Sequence, residues 1–174
     1  LKTLPTFEFA SYRFRPATMA DLPVARAWNA ADPEHSYELQ FENFWVEQTL
    51  VANSYVLEDD EGPVFFIKMV RGVHSYGDSQ GKRIRWEWDT QVELHLQFNR
   101  AADRMVKLRT MEGMIYGWGW LQGLLAAAGV DTVYFQTRDE RTALFAMRRL
   151  GFRLDRYGSA AGFGRYEALV IKAA

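Results

Sequence analysis

The chain has 174 residues, 21 basic against 22 acidic side chains for a net charge of -1, and no cysteine. The length suits one domain spanning residues 1–174, and 48% apolar residues suffice for a sizeable core. The balanced charge offers no basic field to nucleic acid or an anionic membrane, and the missing thiols exclude disulfides, thiolate nucleophiles and cysteine-based zinc sites.

Tyr12 to Pro16 alternates polar and apolar residues and closes on proline, as an opening strand does. Thr18 and Asp21 then start a helix over 17–28, with Pro23 in its first turn and Leu22, Val24, Ala25 and Trp28 as apolar positions. A polar, turn-like stretch at 33–40 leads to a helix expected over 41–51. Strands at 54–58 and 64–70 flank the turn Asp59-Asp60-Glu61-Gly62-Pro63 and form a hairpin. Residues 72–82 read as a loop and 84–88 as a strand. The strand at 92–98 puts Val92, Leu94, Leu96 and Phe98 on one face and Glu93, His95 and Gln97 on the other.

Basic Arg100, Arg104, Lys107 and Arg109 lead into a long helix expected over 111–128. Gly113, Gly117, Gly119 and Gly123 would each cost that helix about 1 kcal/mol relative to alanine, which close packing against a sheet would offset. Within it, Tyr116 and Trp120 point to one side and Trp118 to nearly the opposite one. Core packing with one partly exposed tryptophan or a homodimer contact would both account for that pattern. Next come a β-branched and aromatic strand at 130–137 and a helix from Glu140. Ala143, Leu144, Met147 and Leu150 recur at helical spacing in that helix, and Gly151 supplies a left-handed cap. Strands at 153–157 and 166–171 complete the series.

Two stretches carry a family resemblance. One is Arg15-Pro16-Ala17-Thr18-Met19-Ala20-Asp21-Leu22; the other is Val130 to Phe152, with Ala143 and the terminal Leu150-Gly151-Phe152. Both closely resemble the GNAT superfamily of N-acyltransferases. The resemblance implies an α/β fold, a mixed central sheet of six to seven strands flanked by about four helices. It also implies transfer of an acetyl group from acetyl-CoA to the primary amine of a small-molecule or peptide acceptor. With neither a secretory leader nor an apolar run of transmembrane length in the sequence, a cytoplasmic protein is expected.

In this family acyl-CoA lies where two strands splay apart, here 92–98 and 132–137, which would bring Leu96, Phe98 and Gln136 to the cofactor. Its pyrophosphate rests on the start of the central helix, where free N–H groups and the helix dipole favour an anion. The resemblance puts Arg109 at the arginine of the phosphate motif, followed by Gly113 as the single retained glycine, one residue late. Either Arg104, Lys107 and Arg109 replace part of the amide cradle, or the domain keeps the fold without ordinary CoA chemistry and serves as a binding or assembly module. The family tyrosine that protonates the departing thiolate aligns with Met147, and the asparagine that often opens this helix aligns with Glu140. Tyr134 and Tyr157 are either phenols that replace it or half-buried strand tyrosines.

For the general base, Glu93 and His95 are the candidates, two apart on one strand face. Glu87 and Asp89 form a second acidic pair, while His35 and His74 sit in predicted loops. No His-x-His or Glu-x-x-His spacing, phosphate-binding Walker loop or serine elbow occurs, so no metal site is expected.

Overall fold

The computed structural model describes residues 6–32, 43–49, 52–71, 76–77, 83–84, 90–99, 104–157 and 164–170. Among the described residues, ten strands and three α-helices follow one another as β1 (Phe7–Phe9), β2 (Tyr12–Pro16), α1 (Leu22–Ala30), β3 (Ala52–Asp59), β4 (Gly62–Arg71), β5 (Tyr76–Gly77), β6 (Arg83–Ile84), β7 (Gln91–Gln97), α2 (Arg104–Ala127), β8 (Thr132–Thr137), α3 (Glu140–Arg149), β9 (Arg153–Tyr157) and β10 (Gly164–Leu169). Eight strands form one sheet in the order β1-β2-β3-β4-β7-β8-β10-β9, and β5 pairs with β6 separately. Every neighbour in the large sheet is antiparallel except β7 and β8.

Helices α2 and α3 bury one face of the sheet around Phe14, Leu57, Phe65, Leu94, Leu121 and Phe135. On the other face α1 and a short 3-10 turn at Phe44–Val46 cover Val56 and Phe66. The alternation read at 92–98 produces this division, since Val92 and Leu94 enter the first cluster while Gln97 faces α1.

The opening motif has a structural role. Thr18 and Asp21 form a capping box, and Arg15 reaches Asp21 through two bonds of 2.9 Å while also pairing with Glu58 at 2.9 and 2.6 Å. Burial alone would raise the Asp21 carboxyl; the Arg15 guanidinium and the N–H and hydroxyl of Thr18 outweigh it and hold the group below the usual range. At the other motif, Asp139 caps α3 by accepting from the Arg141 N–H, and Gly151 leaves the helix at φ 76°.

Helix α2 begins at Arg104, earlier than the expected 111, so Arg104, Lys107 and Arg109 lie in its first turns. Gly113 and Gly117 lie against the sheet: a Cβ would come within 2.5 Å of Leu57 at the first and 2.8 Å of Phe65 at the second. Close approach thus accounts for these two glycines. Gly119 and Gly123 face open space.

Trp118 and Trp120 both pack against aromatic neighbours and are partly buried. Trp118 meets Phe152 at 5.1 Å, and Trp120 stacks on Phe7 at 6.2 Å and Phe14 at 6.0 Å. The sheet-facing line of α2 runs through Gly113, Gly117 and Leu121, and the two tryptophans flank it on either side. Strand β1, absent from the predicted elements, helps to cover Trp120.

The helix expected at 41–51 appears among the described residues only as the turn Phe44–Val46, after which Glu47 is extended and Gln48 bridges to Asn53. Trp45 and Val46 are buried against the sheet, so packing holds this segment without a regular helix. The expected strand at 84–88 is seen at its first residue, in β6, and 85–89 lie outside the described residues. The sheet therefore has one strand more than the upper expectation, and the described helices number three.

Candidate active site

Strands β7 and β8 run parallel and pair only at Gln91, Val92 and Glu93 with Thr132, Val133 and Tyr134. Beyond Glu93 and Tyr134 no pairing continues, although β7 extends to Gln97 and β8 to Thr137. The two chains part into a V whose vertex carries Glu93. Antiparallel partners hold both arms from outside, β4 along β7 and β10 along β8, so the gap is built into the sheet.

Glu93 is the hub on the α1 face. The Tyr134 hydroxyl donates to its Oε2 and the Gln136 amide to its Oε1, each at 3.4 Å. Tyr134 is buried, whereas Gln136 is exposed, so the carboxylate joins the protein interior to solvent across the V. His95 follows on the same face and meets the Phe44 ring edge-on at 5.2 Å. The third residue of this row, Gln97, is fully buried; it accepts from Asn29 of α1 at 3.2 Å and donates to Asp32 at 3.4 Å. That network fixes the end of α1 against β7.

Behind His95, its cross-strand neighbour Lys68 is 3% exposed. Its ammonium bonds to Glu47 and lies 3.8 Å from the centre of the Phe44 ring. In the sequence, the mark of this pair is a lysine inside the apolar run Val64 to Val70.

On the α2 and α3 face the gap opens into an apolar cavity bordered by Leu94, Leu96, Phe135, Met114, Phe145 and Ala146. Leu96 thus stands at the mouth of the V, and Phe98, just past β7, packs on the same core. The expected cofactor residues divide into those near this gap and those elsewhere. Leu96 and Gln136 border it, and Arg104 and Lys107 project exposed from the first turn of α2, which contains no acidic residue.

Arg109 and Gly113 are placed differently from the expectation. The Arg109 guanidinium pairs with Asp59, including a bond of 2.6 Å, donates to Glu61 at 3.1 Å and to the Gly62 carbonyl at 3.2 Å. It therefore ties α2 to the β3–β4 turn. Gly113 sits well inside α2, so its amide is not among the free groups at the helix start. Glu112 accepts from Tyr12 at 3.0 Å; burial, then this carboxylate, pushes the Tyr12 phenol up to about 12.

Met147 packs against the core and offers no proton. His35, His74, Glu87 and Asp89 lie outside the described residues, as does the side chain of Tyr157. Among the described residues no group of three or more His, Cys, Asp or Glu could hold a metal ion, and no helix is long and apolar enough to cross a membrane.

No protein-family model matches the chain, and no curated protein does. Solved structures do. An aminoglycoside N(6')-acetyltransferase from Legionella pneumophila superposes with a TM-score of 0.58 at 12% identity, covering 94% of each chain. The ribosomal-protein-S18-alanine N-acetyltransferase of Escherichia coli gives 0.57 at 15% identity, over 94% of this chain and 96% of that one. A GNAT superfamily phosphinothricin acetyltransferase from Sinorhizobium meliloti, in complex with AcCoA, gives 0.59 at 14% identity, over 92% and 89%. The fold is GNAT-like, a mixed α/β architecture around one open sheet.

Proposed function

We propose that this GNAT-like domain transfers an acyl group, acetyl in its simplest form, from acyl-CoA to the primary amine of a small-molecule or peptide acceptor. The observation that carries this reading is the V between β7 and β8 with Glu93 at its vertex, bonded from Tyr134 and Gln136. A thioester seated in the gap would expose its carbonyl carbon to an amine arriving on the α1 face. Glu93 takes the amine proton as the C–N bond forms. The C–S bond then breaks, and the sulfur takes the Tyr134 phenolic proton, which Glu93 returns through their existing hydrogen bond. This gives Tyr134 the proton-donor role that Met147 cannot fill. His95 is the alternative base on the same face.

The CoA phosphates would lie against the start of α2, with Arg104 and Lys107 as charge-assisted donors. We assign Arg109 to structure, because Asp59 and Glu61 already neutralise it. A non-catalytic binding module on the same fold is a second reading, favoured by Met147 at the family tyrosine position and by the engagement of Arg109.

Thermal-shift titration with CoA and acetyl-CoA, followed by thiol release in the presence of an amine panel, tests both. Ligand at about one hundred times its Kd stabilises the native state by about 2.7 kcal/mol. Absence of any shift at millimolar CoA overturns the transferase reading; a shift without thiol release from any amine favours the binding module.

A further inference from the structure

Helix α2 has an outward side that neither the fold nor acyl transfer uses. Five of the nine exposed large apolar side chains among the described residues belong to this helix: Met105, Leu108, Met111, Ile115 and Tyr116. Exposed apolar residues scattered singly mean little, whereas a group gathered on one helix marks an interaction surface. Gly113, Gly117 and Leu121 already face the sheet, and past Glu112 the helix contains no charged residue. A helix that is apolar on both sides is normally covered on both.

The surface has a defined shape and charge. Met105, Leu108, Met111 and Ile115 form the floor of a groove between α2 and α3, to which Arg149 of α3 also contributes. Leu108, Met111 and Ile115 are three and four residues apart, the interval at which parallel helices pack against copies of themselves. One rim carries Glu112, which is exposed and whose bond to Tyr12 turns it toward β2, away from α3. Arg109 on that rim is held by Asp59 and Glu61, so the edge stays acidic. The opposite rim is the last turn of α3, where Arg148 and Arg149 make it basic and Arg149 has no acidic partner among the described residues. A two-fold axis along the groove exchanges its edges, so the groove is complementary to itself. An anionic lipid surface, by contrast, would repel Glu112.

We infer that two copies of this chain pair through this groove, each Glu112 meeting the partner's Arg149 across an apolar middle. The pairing does not depend on acyl transfer and holds equally for a binding module.

Sedimentation of the intact protein over a wide concentration series tests it: the weight-average mass should rise toward twice the chain mass. Ile115→Glu, at a half-exposed position, should keep the circular dichroism spectrum of the wild type and stay monomeric throughout. If its spectrum changes, Leu108→Glu is measured in its place, with the same expected result. Glu112→Arg and Arg149→Glu each set like charges opposite one another and should weaken pairing about tenfold. Mixed in equal amounts, these two variants should regain it, because each supplies the charge that the other lacks.

A wild-type protein that stays monomeric at every concentration would overturn the inference. So would a dimer that persists in the folded Ile115→Glu or Leu108→Glu variant, by placing the interface elsewhere, and so would a mixture that pairs no better than either charge variant alone.

Discussion

The two faces of the sheet differ most where β7 and β8 part. On the α1 face Glu93, His95 and Gln97 each meet a specific partner: Tyr134 and Gln136, the Phe44 ring, and Asn29 with Asp32. On the other face Leu94 and Leu96, from the same strand, pack into the apolar core and border a cavity. Alternation along one strand thus supplies two environments a single sheet thickness apart. The polar face holds titratable groups oriented by hydrogen bonds; the apolar face is held by dispersion and burial, which carry no direction.

The sharpest way to break this division is Glu93→Gln. Turnover should fall about 10²–10⁴-fold, with CoA affinity by calorimetry unchanged. An unaltered rate would remove Glu93 as the base and leave His95 to be tried.

Asp21→Asn tests the framework under the polar face. Among the described residues Arg15 would keep Glu58 as its ionic partner, and urea unfolding should show a loss of about 1–3 kcal/mol. The pH dependence has a defined sign. Because the folded-state pKa of Asp21 is lowered, its contribution is complete above the unfolded value of about 3.9 and disappears as pH falls through the folded value. The stability gap between wild type and variant should therefore narrow only in acid; a gap that widens there would contradict the assignment.

At the start of α2, the double change Arg104→Ala with Lys107→Ala should weaken CoA binding about tenfold, less at high salt. Arg109→Ala should leave that affinity within about twofold and lower the urea midpoint instead. The reverse pattern would return Arg109 to the phosphates.

The smallest effect separates the glycines of α2. Gly119→Ala should stabilise the protein by up to about 1 kcal/mol, since nothing opposes the new methyl and helix propensity improves. Gly113→Ala should gain less or lose stability, because Leu57 must move. Equal gains in thermal unfolding at both positions would show that α2 can shift away from the sheet without cost.

Much of the scaffold was legible in the residues. The strand alternation at 92–98, the Thr18 and Asp21 start, and the Gly151 exit depend on neighbours a few positions away, and the structure follows them. The partner of Arg109 was not legible: Asp59 lies 50 positions earlier, and only the crossing of α2 over the β3–β4 turn brings them together. Counting from the family motif assigned that arginine by its place in sequence, whereas its charge was already taken by a turn distant in the chain. The same limit hid the support that Tyr134 and Gln136 give Glu93, as the pairs are separated by 41 and 43 positions.

The sequence by itself determined the periodicities, the caps, the absence of thiol chemistry and the row of Glu93, His95 and Gln97, because these are properties of residue type and short spacing. Only the tertiary structure decided that β7 and β8 separate just past Glu93, that Arg109 faces Asp59, and that a cavity lies behind Leu94 and Leu96. Those outcomes arise from long-range packing, in which several segments compete for one volume and the residues brought together need share no pattern along the chain.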